Sequence, residues 1–437
     1  MSTITVEVIS RETIKPSTPT PCQLKSHSLS LIDQYMYPIF TPILLFYPAA
    51  AVLDTGYNQH GDNTCLVKKS LSETLVHFYP LAGRVRDNIV VDCNDQGVEF
   101  IEVKVSGSMS DFLRKPDEQL SGLVPSEAVC TNSVREAQVI VQVNRFDCRS
   151  TAIALCVSHK IADLATVTAF IRCWAQAAIG IRGTTSIISP IVSSKWRPTF
   201  DSAALFPPVK QLISPSGVTS TKRIISKRIL FDAAMINSVR EKLLALTVDK
   251  YKCRRPTRVE VVSALIWKSF VTLDSLPVKV KHAVNLRKRI NPPLPDVSFG
   301  NILEFTRAVV GSASTEKTTQ GITSSTSLYD ELNEFICQLR ESVSKMSQGD
   351  HDFDSEDTEY GERDLWISSW CNYGLYDVDF GWGKPIWVTT VATMFRMPDV
   401  FFMMDTCCGE GIEVWGNLFE EDMANFQDNL SKLHHII

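Results

Sequence analysis

A chain of 437 residues exceeds one ordinary domain, and its 44% hydrophobic and 21% charged residues are those of a globular protein able to bury sizeable cores. A formal net charge of -5 offers no basic field to a polyanion. The short basic runs from Lys252 to Arg255 and from Arg287 to Arg289 lack aromatic interleaving, so nucleic acid is set aside as a partner.

In chain order, the opening MSTITVEVISRETIKP carries Glu7, Arg11, Glu12 and Lys15 where a secretory signal has an apolar core, so none is visible. The most apolar stretch, Pro38 to Leu53, is broken by three prolines and Thr41 and is too short to span a bilayer; it reads as buried strand and loop. Val67, Leu71, Leu75 and Phe78 recur at helical spacing, and Pro80 and Gly83 close that helix. Val139 to Val143 is a β-branched run. Thr151 to His159 alternates, with Ile153, Leu155 and Val157 on one face and His159 sharing their parity at the strand end. After Asp163, a helical stripe runs through Leu164, Val167, Ile171, Trp174 and Ala178.

Ser189 to Ser220, with Pro190, Pro198, Pro207, Pro208 and Pro215 among serines, interrupts regular structure near the middle of the chain. It divides the sequence into an N-terminal domain of residues 1–188, a linker of 189–220 and a C-terminal domain of 221–437. In the second half, Val259 to Phe270 reads as a helix and Pro385 precedes a strand-like IWVTTV. Two further connectors are the Ser/Thr-rich Gly311 to Ser327 and the acidic Ser347 to Arg363, the latter a solvated loop. The fold class is α/β (mixed α+β), with no internal repeat. The twelve cysteines form no C-x-x-C pair, which in a chain of this kind points to reduced thiols in the cytosol. For the same reason the sequon Asn429-Leu430-Ser431 carries no meaning here.

Of eight histidines, only His159 sits at a strand end with a carboxylate four residues on, in His159-Lys160-Ile161-Ala162-Asp163. Imidazole titrates near neutrality and can take a proton from a hydroxyl as it attacks a carbonyl. The alternatives are a satisfied core histidine and a metal ligand; no H-x-x-x-H or cysteine cluster supplies further metal ligands. Asp379-Phe380-Gly381-Trp382-Gly383 reads as a tight, specifically packed loop leading into a strand. There Asp379 is either catalytic or a buried carboxylate paired with an arginine, with Arg287 or Arg289 as the source of charge. No G-x-S-x-G elbow is present, Cys407 and Cys408 lack a nucleophile's context, and the carboxylates near Asp352 to Asp357 read as a solvated face.

Together these motifs resemble the BAHD family of plant acyl-CoA-dependent acyltransferases. HKIAD at 159–163 matches its H-x-x-x-D signature, and DFGWG at 379–383 matches its second signature letter for letter. HFYPLAGR at 77–84, PTRVEVVSALIWKS at 256–269, VNLRKRINPPLP at 284–295, SFGN at 298–301 and DTCCGEGIEVW at 405–415 look like further family blocks. The likeness covers essentially the whole chain and is nearest to the alkaloid acetyltransferases.

The resemblance implies two chloramphenicol-acetyltransferase-like domains joined by a crossover loop, with a solvent channel between them. It implies a cytoplasmic monomer that binds no cofactor or metal, uses acetyl-CoA as co-substrate and takes a small-molecule alcohol as acceptor. The acceptor implied is an alkaloid of morphinan or related benzylisoquinoline type. An indole alkaloid, a terpenoid, a phenylpropanoid alcohol or another acyl donor is the enzymatic alternative, and a non-catalytic ligand-binding relative is the other. By the same resemblance His159 is the general base, and Asp163 turns from the pocket into a structural salt bridge. Asp379 is needed for activity through domain geometry, Ser368, Ser369 and Trp370 line the pocket, and Asn301 shapes the thioester site. Two departures stand out: Arg149 and Ser150 replace two glycines, and Cys407 replaces a cation.

Overall fold

The computed structural model of the chain describes residues 4–49, 59–116, 119–128, 137–183, 194–210, 222–250, 254–273, 277–310, 325–347 and 363–437. The connectors at 311–324 and 348–362, with Asp352 to Asp357, lie outside the described residues, as do 50–53 and, within and beside the expected linker, 184–193 and 211–221.

The strands are β1 (Val6–Ile14), β2 (Ser26–Ser28), β3 (Phe40–Tyr47), β4 (Arg84–Arg86), β5 (Val90–Asp92), β6 (Val98–Val105), β7 (Val139–Phe146) and β8 (Thr151–Ser158). They continue as β9 (Ile224–Phe231), β10 (Val278–Asn285), β11 (Leu303–Phe305), β12 (Ala308–Val310), β13 (Arg363–Ser369), β14 (Trp387–Thr389), β15 (Val400–Asp405) and β16 (Ile412–Phe419). The helices are α1 (Leu31–Tyr35), α2 (Gln59–His77), α3 (Met109–Arg114), α4 (Leu164–Gly183) and α5 (Ser202–Leu205). Those of the later chain are α6 (Ala233–Lys250), α7 (Arg258–Val271), α8 (Ser325–Ser347) and α9 (Glu420–Ile436). Mixed α/β structure is as the sequence predicts.

The chain forms two compact units. The first comprises Met1–Val218, Leu294–Ile302 and Tyr373–Phe395; the second comprises Thr219–Pro293, Leu303–Asn372 and Arg396–Ile437. The main break, between Val218 and Thr219, falls within the expected linker of 189–220, but the division is not contiguous, because residues 294–302 and 373–395 return to the first unit. DFGWG belongs to the first unit, because β14 pairs antiparallel with β3 and Thr390 Oγ1 donates to the Pro42 carbonyl at 2.9 Å.

The main sheet of the first unit has the order β1-β6-β7-β8-β3-β14. β8 lies inside it between β7 and β3, and both of its faces are buried: Ile153, Leu155 and Val157 on one, Ala152, Ala154 and Cys156 on the other. The alternation seen in the sequence is therefore large against small rather than apolar against polar. α4 packs on α2, with Trp174 Nε1 donating to the Val67 carbonyl and to Ser70 Oγ. By length and composition alone α4 could cross a membrane, but most of that stretch is buried inside the fold. In the second unit the sheet β11-β10-β13-β15-β16-β9 packs against α6, α7, α8 and α9 through Leu265, Trp267, Phe335, Phe401 and Phe426. Thr257 and Glu260 close a capping box at the start of α7. The sequon asparagine, Asn429, is on α9 and donates to Thr272 Oγ1 at 2.7 Å.

The Arg149 departure falls in the β7–β8 hairpin. Arg149 N donates to the Phe146 carbonyl, Phe146 N donates to that of Ser150, and Arg149 takes φ +69°. That is the left-handed position of a three-residue hairpin, where glycine is favoured. The conformation costs an L-residue about 1–2 kcal/mol, and glycine's freedom in the unfolded chain returns about 0.5–1. Arg149→Gly is therefore expected to raise stability by roughly 0.5–1 kcal/mol, read as a higher urea midpoint at unchanged slope.

His27 is buried edge-on to Phe200 and Phe299, its Nε2 has no hydrogen-bond partner, and desolvation lowers its pKa from 6.5 to about 4. The unfolded chain then binds the proton first, so stability is present above pH 6.5 and is lost as pH falls towards 4. The loss amounts to about 3 kcal/mol. Urea midpoints for His27→Phe measured across that window should lack this component of the acid slope.

Candidate active site

His159 follows β8 directly. Its N–H donates to the Ile39 carbonyl at 2.7 Å, which extends the β8–β3 pairing one step beyond the strand and leaves the half-buried imidazole at the sheet's end. Four residues on, Asp163 precedes α4, and its Oδ1 accepts from Thr166 N at 2.9 Å as an N-cap. Its Oδ2 accepts from Ile302 N at 3.1 Å. Each oxygen of this carboxylate thus has a backbone N–H partner.

The segment Ser298–Ile302 runs past both groups. Three successive N–H groups are caught by side chains: Gly300 by Thr166 Oγ1 at 3.2 Å, Asn301 by Asp33 Oδ1 at 2.7 Å and Ile302 by Asp163. Gly300 has φ +111°, and a Cβ there would come within 2.8 Å of Ser202 Oγ. Asn301, fully buried, clasps His159. Its Oδ1 lies 3.0 Å from Nδ1, and its Nδ2 donates to the His159 carbonyl at 2.8 Å. A ring nitrogen facing an acceptor carries the proton, so in the neutral ring Nδ1 is the N–H and Nε2 keeps its lone pair. Asn301, read from the sequence as a shaper of the thioester site, touches the imidazole itself. The neighbouring Lys160 is buried, with Nζ donating to the carbonyls of Gln34 and Met36. Desolvation pushes its pKa down to about 8 against the opposing pull of Asp33.

Asp379 is not paired with an arginine among the described residues. Its Oδ1 accepts from Gly381 N at 2.7 Å and Gly383 N at 2.9 Å. Both glycines have left-handed φ, +97° and +110°, which lets the chain fold back over the carboxylate. Phe380 stacks on Trp382 and meets Trp174 edge-on at 5.0 Å; Tyr47 stands edge-on to both rings of the loop and donates to the Val378 carbonyl. Burial, and then the charge of Asp379, push the Tyr47 phenol well up.

Ser368, Ser369 and Trp370 lie in the second unit at the end of β13. Trp370 Nε1 donates to Ser368 Oγ at 3.1 Å, and Trp370 N donates to the Met403 carbonyl at 2.7 Å. Arg287, also of that unit, is fully buried and binds Asn285 Oδ1 through its backbone N–H and Nη1. Cys407 and Cys408 are exposed in the turn after β15. Thr406 and the amides of Glu410 and Gly411 lower the Cys408 thiol to about 7. Asp33, which meets Asn301 across 268 residues of chain, escaped the reading of the sequence. Its one local signal is the capping pattern Ser30-x-x-Asp33 at the start of α1.

A strand-end imidazole with one free nitrogen and a self-folded DFGWG loop, on a mixed α/β fold, define an acyltransferase. The description of the Transferase family matches residues 4–433, and the chain belongs to this family, the BAHD acyltransferases. Salutaridinol 7-O-acetyltransferase of Papaver somniferum is 49% identical over 476 residues, covering 100% of this chain and 99% of its own. The (13S,14R)-1,13-dihydroxy-N-methylcanadine 13-O-acetyltransferase of the same plant is 48% identical over 468 residues, covering 99% and 98%. Among solved structures, the crystal structure of vinorine synthase aligns with TM-score 0.78 at 32% identity over 98% of each chain. TRI101 of F. sporotrichioides, complexed with coenzyme A and T-2, shares the fold with TM-score 0.68 at 15% identity, over 93% of this chain and 98% of its own.

Removing the Asp379 carboxylate leaves two amides of a half-exposed loop without an acceptor, whereas an amide side chain still presents one oxygen. Asp379→Ala is expected to cost about 2 kcal/mol and Asp379→Asn less than about 1, measured by denaturant unfolding.

Proposed function

We propose that the protein transfers an acetyl group from acetyl-CoA to a hydroxyl of an alkaloid of benzylisoquinoline or morphinan type, with His159 as the general base. The observation that carries this reading is the Asn301 clasp, which occupies Nδ1 and leaves the Nε2 lone pair for a substrate proton. The two Papaver relatives act on different alkaloids, which supports an alkaloid alcohol as the class more firmly than any one skeleton.

In this reaction both substrates are bound together and no acyl-enzyme forms. Nε2 takes the hydroxyl proton as the oxygen attacks the thioester carbonyl. The tetrahedral intermediate collapses with cleavage of the C–S bond, and the imidazolium gives its proton to the leaving thiolate. Ester and free coenzyme A result, and the imidazole returns to its starting state. General-base help contributes roughly 10²–10⁴-fold. Alignment of the two substrates and exclusion of water supply much of the rest. The same reading makes the protein a monomer of the cytosol, where buried free thiols such as Cys93, Cys156 and Cys173 stay reduced.

The test is incubation with acetyl-CoA and a panel of alkaloid alcohols that includes salutaridinol, followed by product mass and free-thiol release. The expected result is an acceptor-dependent gain of one acetyl group, with kcat lowered about 10²–10⁴-fold in His159→Ala at an unchanged circular dichroism spectrum. Near-normal turnover in that variant would overturn the role of His159. Acetyl-CoA binding without turnover on any acceptor or donor tried would favour a non-catalytic relative instead.

A further inference from the structure

Asp33 is buried, 1% exposed, and its carboxylate accepts four hydrogen bonds. Ser30 N and Ser30 Oγ each lie 2.8 Å from Oδ2; Asn301 N and Asn301 Nδ2 lie 2.7 and 2.8 Å from Oδ1. Ser30 Oγ in turn accepts from Asp33 N at 3.1 Å, which commits the hydroxyl hydrogen to the carboxylate. Two of the four donors are backbone N–H groups that cannot reverse, one on each oxygen. With Ser30 Oγ and Asn301 Nδ2 donating as well, all four acceptor positions of the carboxylate are taken; burial raises its pKa, and the four bonds act against that rise.

Asn301 then has no choice of orientation. Both hydrogens of Nδ2 are spent on groups that only accept, Asp33 Oδ1 and the His159 carbonyl, so the amide oxygen must face Nδ1 of His159. Turned by half a rotation, the amide would set its oxygen against two acceptors and its NH₂ against the ring. The imidazole would then carry its proton on Nε2, where a base needs a lone pair. We infer that Asp33 is a positioning residue for the transfer reaction: through Asn301 it holds the His159 imidazole in the tautomer with Nδ1–H and a free Nε2. This inference rests on the reading of His159 as the base, but the tautomer it names is observable without catalysis.

Asp33→Asn is the informative change, because it keeps size and removes only the all-acceptor character. An amide at 33 must turn its NH₂ toward Ser30 N–H or toward Asn301 N–H, and either contact sets donor against donor. Long-range ¹H–¹⁵N spectra of the full-length protein carrying ¹⁵N-histidine, with His159 assigned against His159→Asn, read the tautomer directly.

The expected wild-type result at neutral pH is the Nδ1–H form. In Asp33→Asn the Nε2–H form should grow, with kcat down roughly 10- to 100-fold and the KM for acetyl-CoA within about twofold. That loss is smaller than the ~10⁴-fold which a wrong tautomer costs a serine-protease triad, because the His159 carbonyl still favours the right amide orientation. An Nε2–H form in the wild type would overturn the inference even if the variant failed to fold. So would a folded Asp33→Asn with wild-type tautomer and turnover. A tautomer change with undiminished transfer would leave Asp33 as the group that orients the ring and would refute His159 as the base.

Discussion

Three consecutive backbone N–H groups, of Gly300, Asn301 and Ile302, carry the placement of the imidazole, and each ends on a buried side chain. An amide buried without an acceptor costs about 1–3 kcal/mol, so the segment cannot slide by one residue without stranding several at once. Thr166 and Asp163 come from the first turn of α4, and Asp33 from the first turn of α1. Two helix starts thus measure where Asn301 sits, and Asn301 measures the rotation of the ring. Asp163 serves two structures at once, capping the helix and pinning the segment. Its two oxygens tie the start of the helix to that segment.

The DFGWG loop follows a different logic. One oxygen of its carboxylate accepts two bonds from within five residues, from amides that only glycine's left-handed backbone brings round. Its aromatic side chains reach outward to Tyr47 and Trp174, on β3 and α4, the strand beside β8 and the helix that Asp163 caps. The loop is a packed plug in the wall of the first unit, and its acidic residue holds the loop's shape rather than meeting a cation.

What could be read from the sequence follows contact distance along the chain. His159 was legible because strand parity and strand end are local properties, and α4 and α7 because helical patterning lies within a few residues. The tight DFGWG loop was legible for the same reason, but its charge partner was not: arginine is the usual counter-ion for a buried carboxylate, and here two amides take that place. Asp33 was illegible as a functional residue because its partner lies 268 residues away and its own neighbourhood looks like an ordinary helix start. The main break between the units lies in the connector marked by composition, but the two later segments that return to the first unit were illegible for the same reason. Composition marks where regular structure stops, not where a later segment returns to an earlier sheet.

That return has a consequence for the chain as it is made. β3 is buried along its whole length and apolar but for Thr41, yet the strand that covers its outer edge follows about 350 residues later, as in the bond from Thr390 to Pro42, which spans 348. At about 5–20 residues per second a ribosome takes roughly 20 to 70 s to cross that interval. During this time an unpaired hydrophobic edge is open to other chains. The segment that steadies His159 also emerges only after most of the first unit has been synthesised. The first unit is therefore completed after synthesis of much of the second, and a nascent or truncated chain ending near residue 218 lacks both its outer strand and the support of its imidazole.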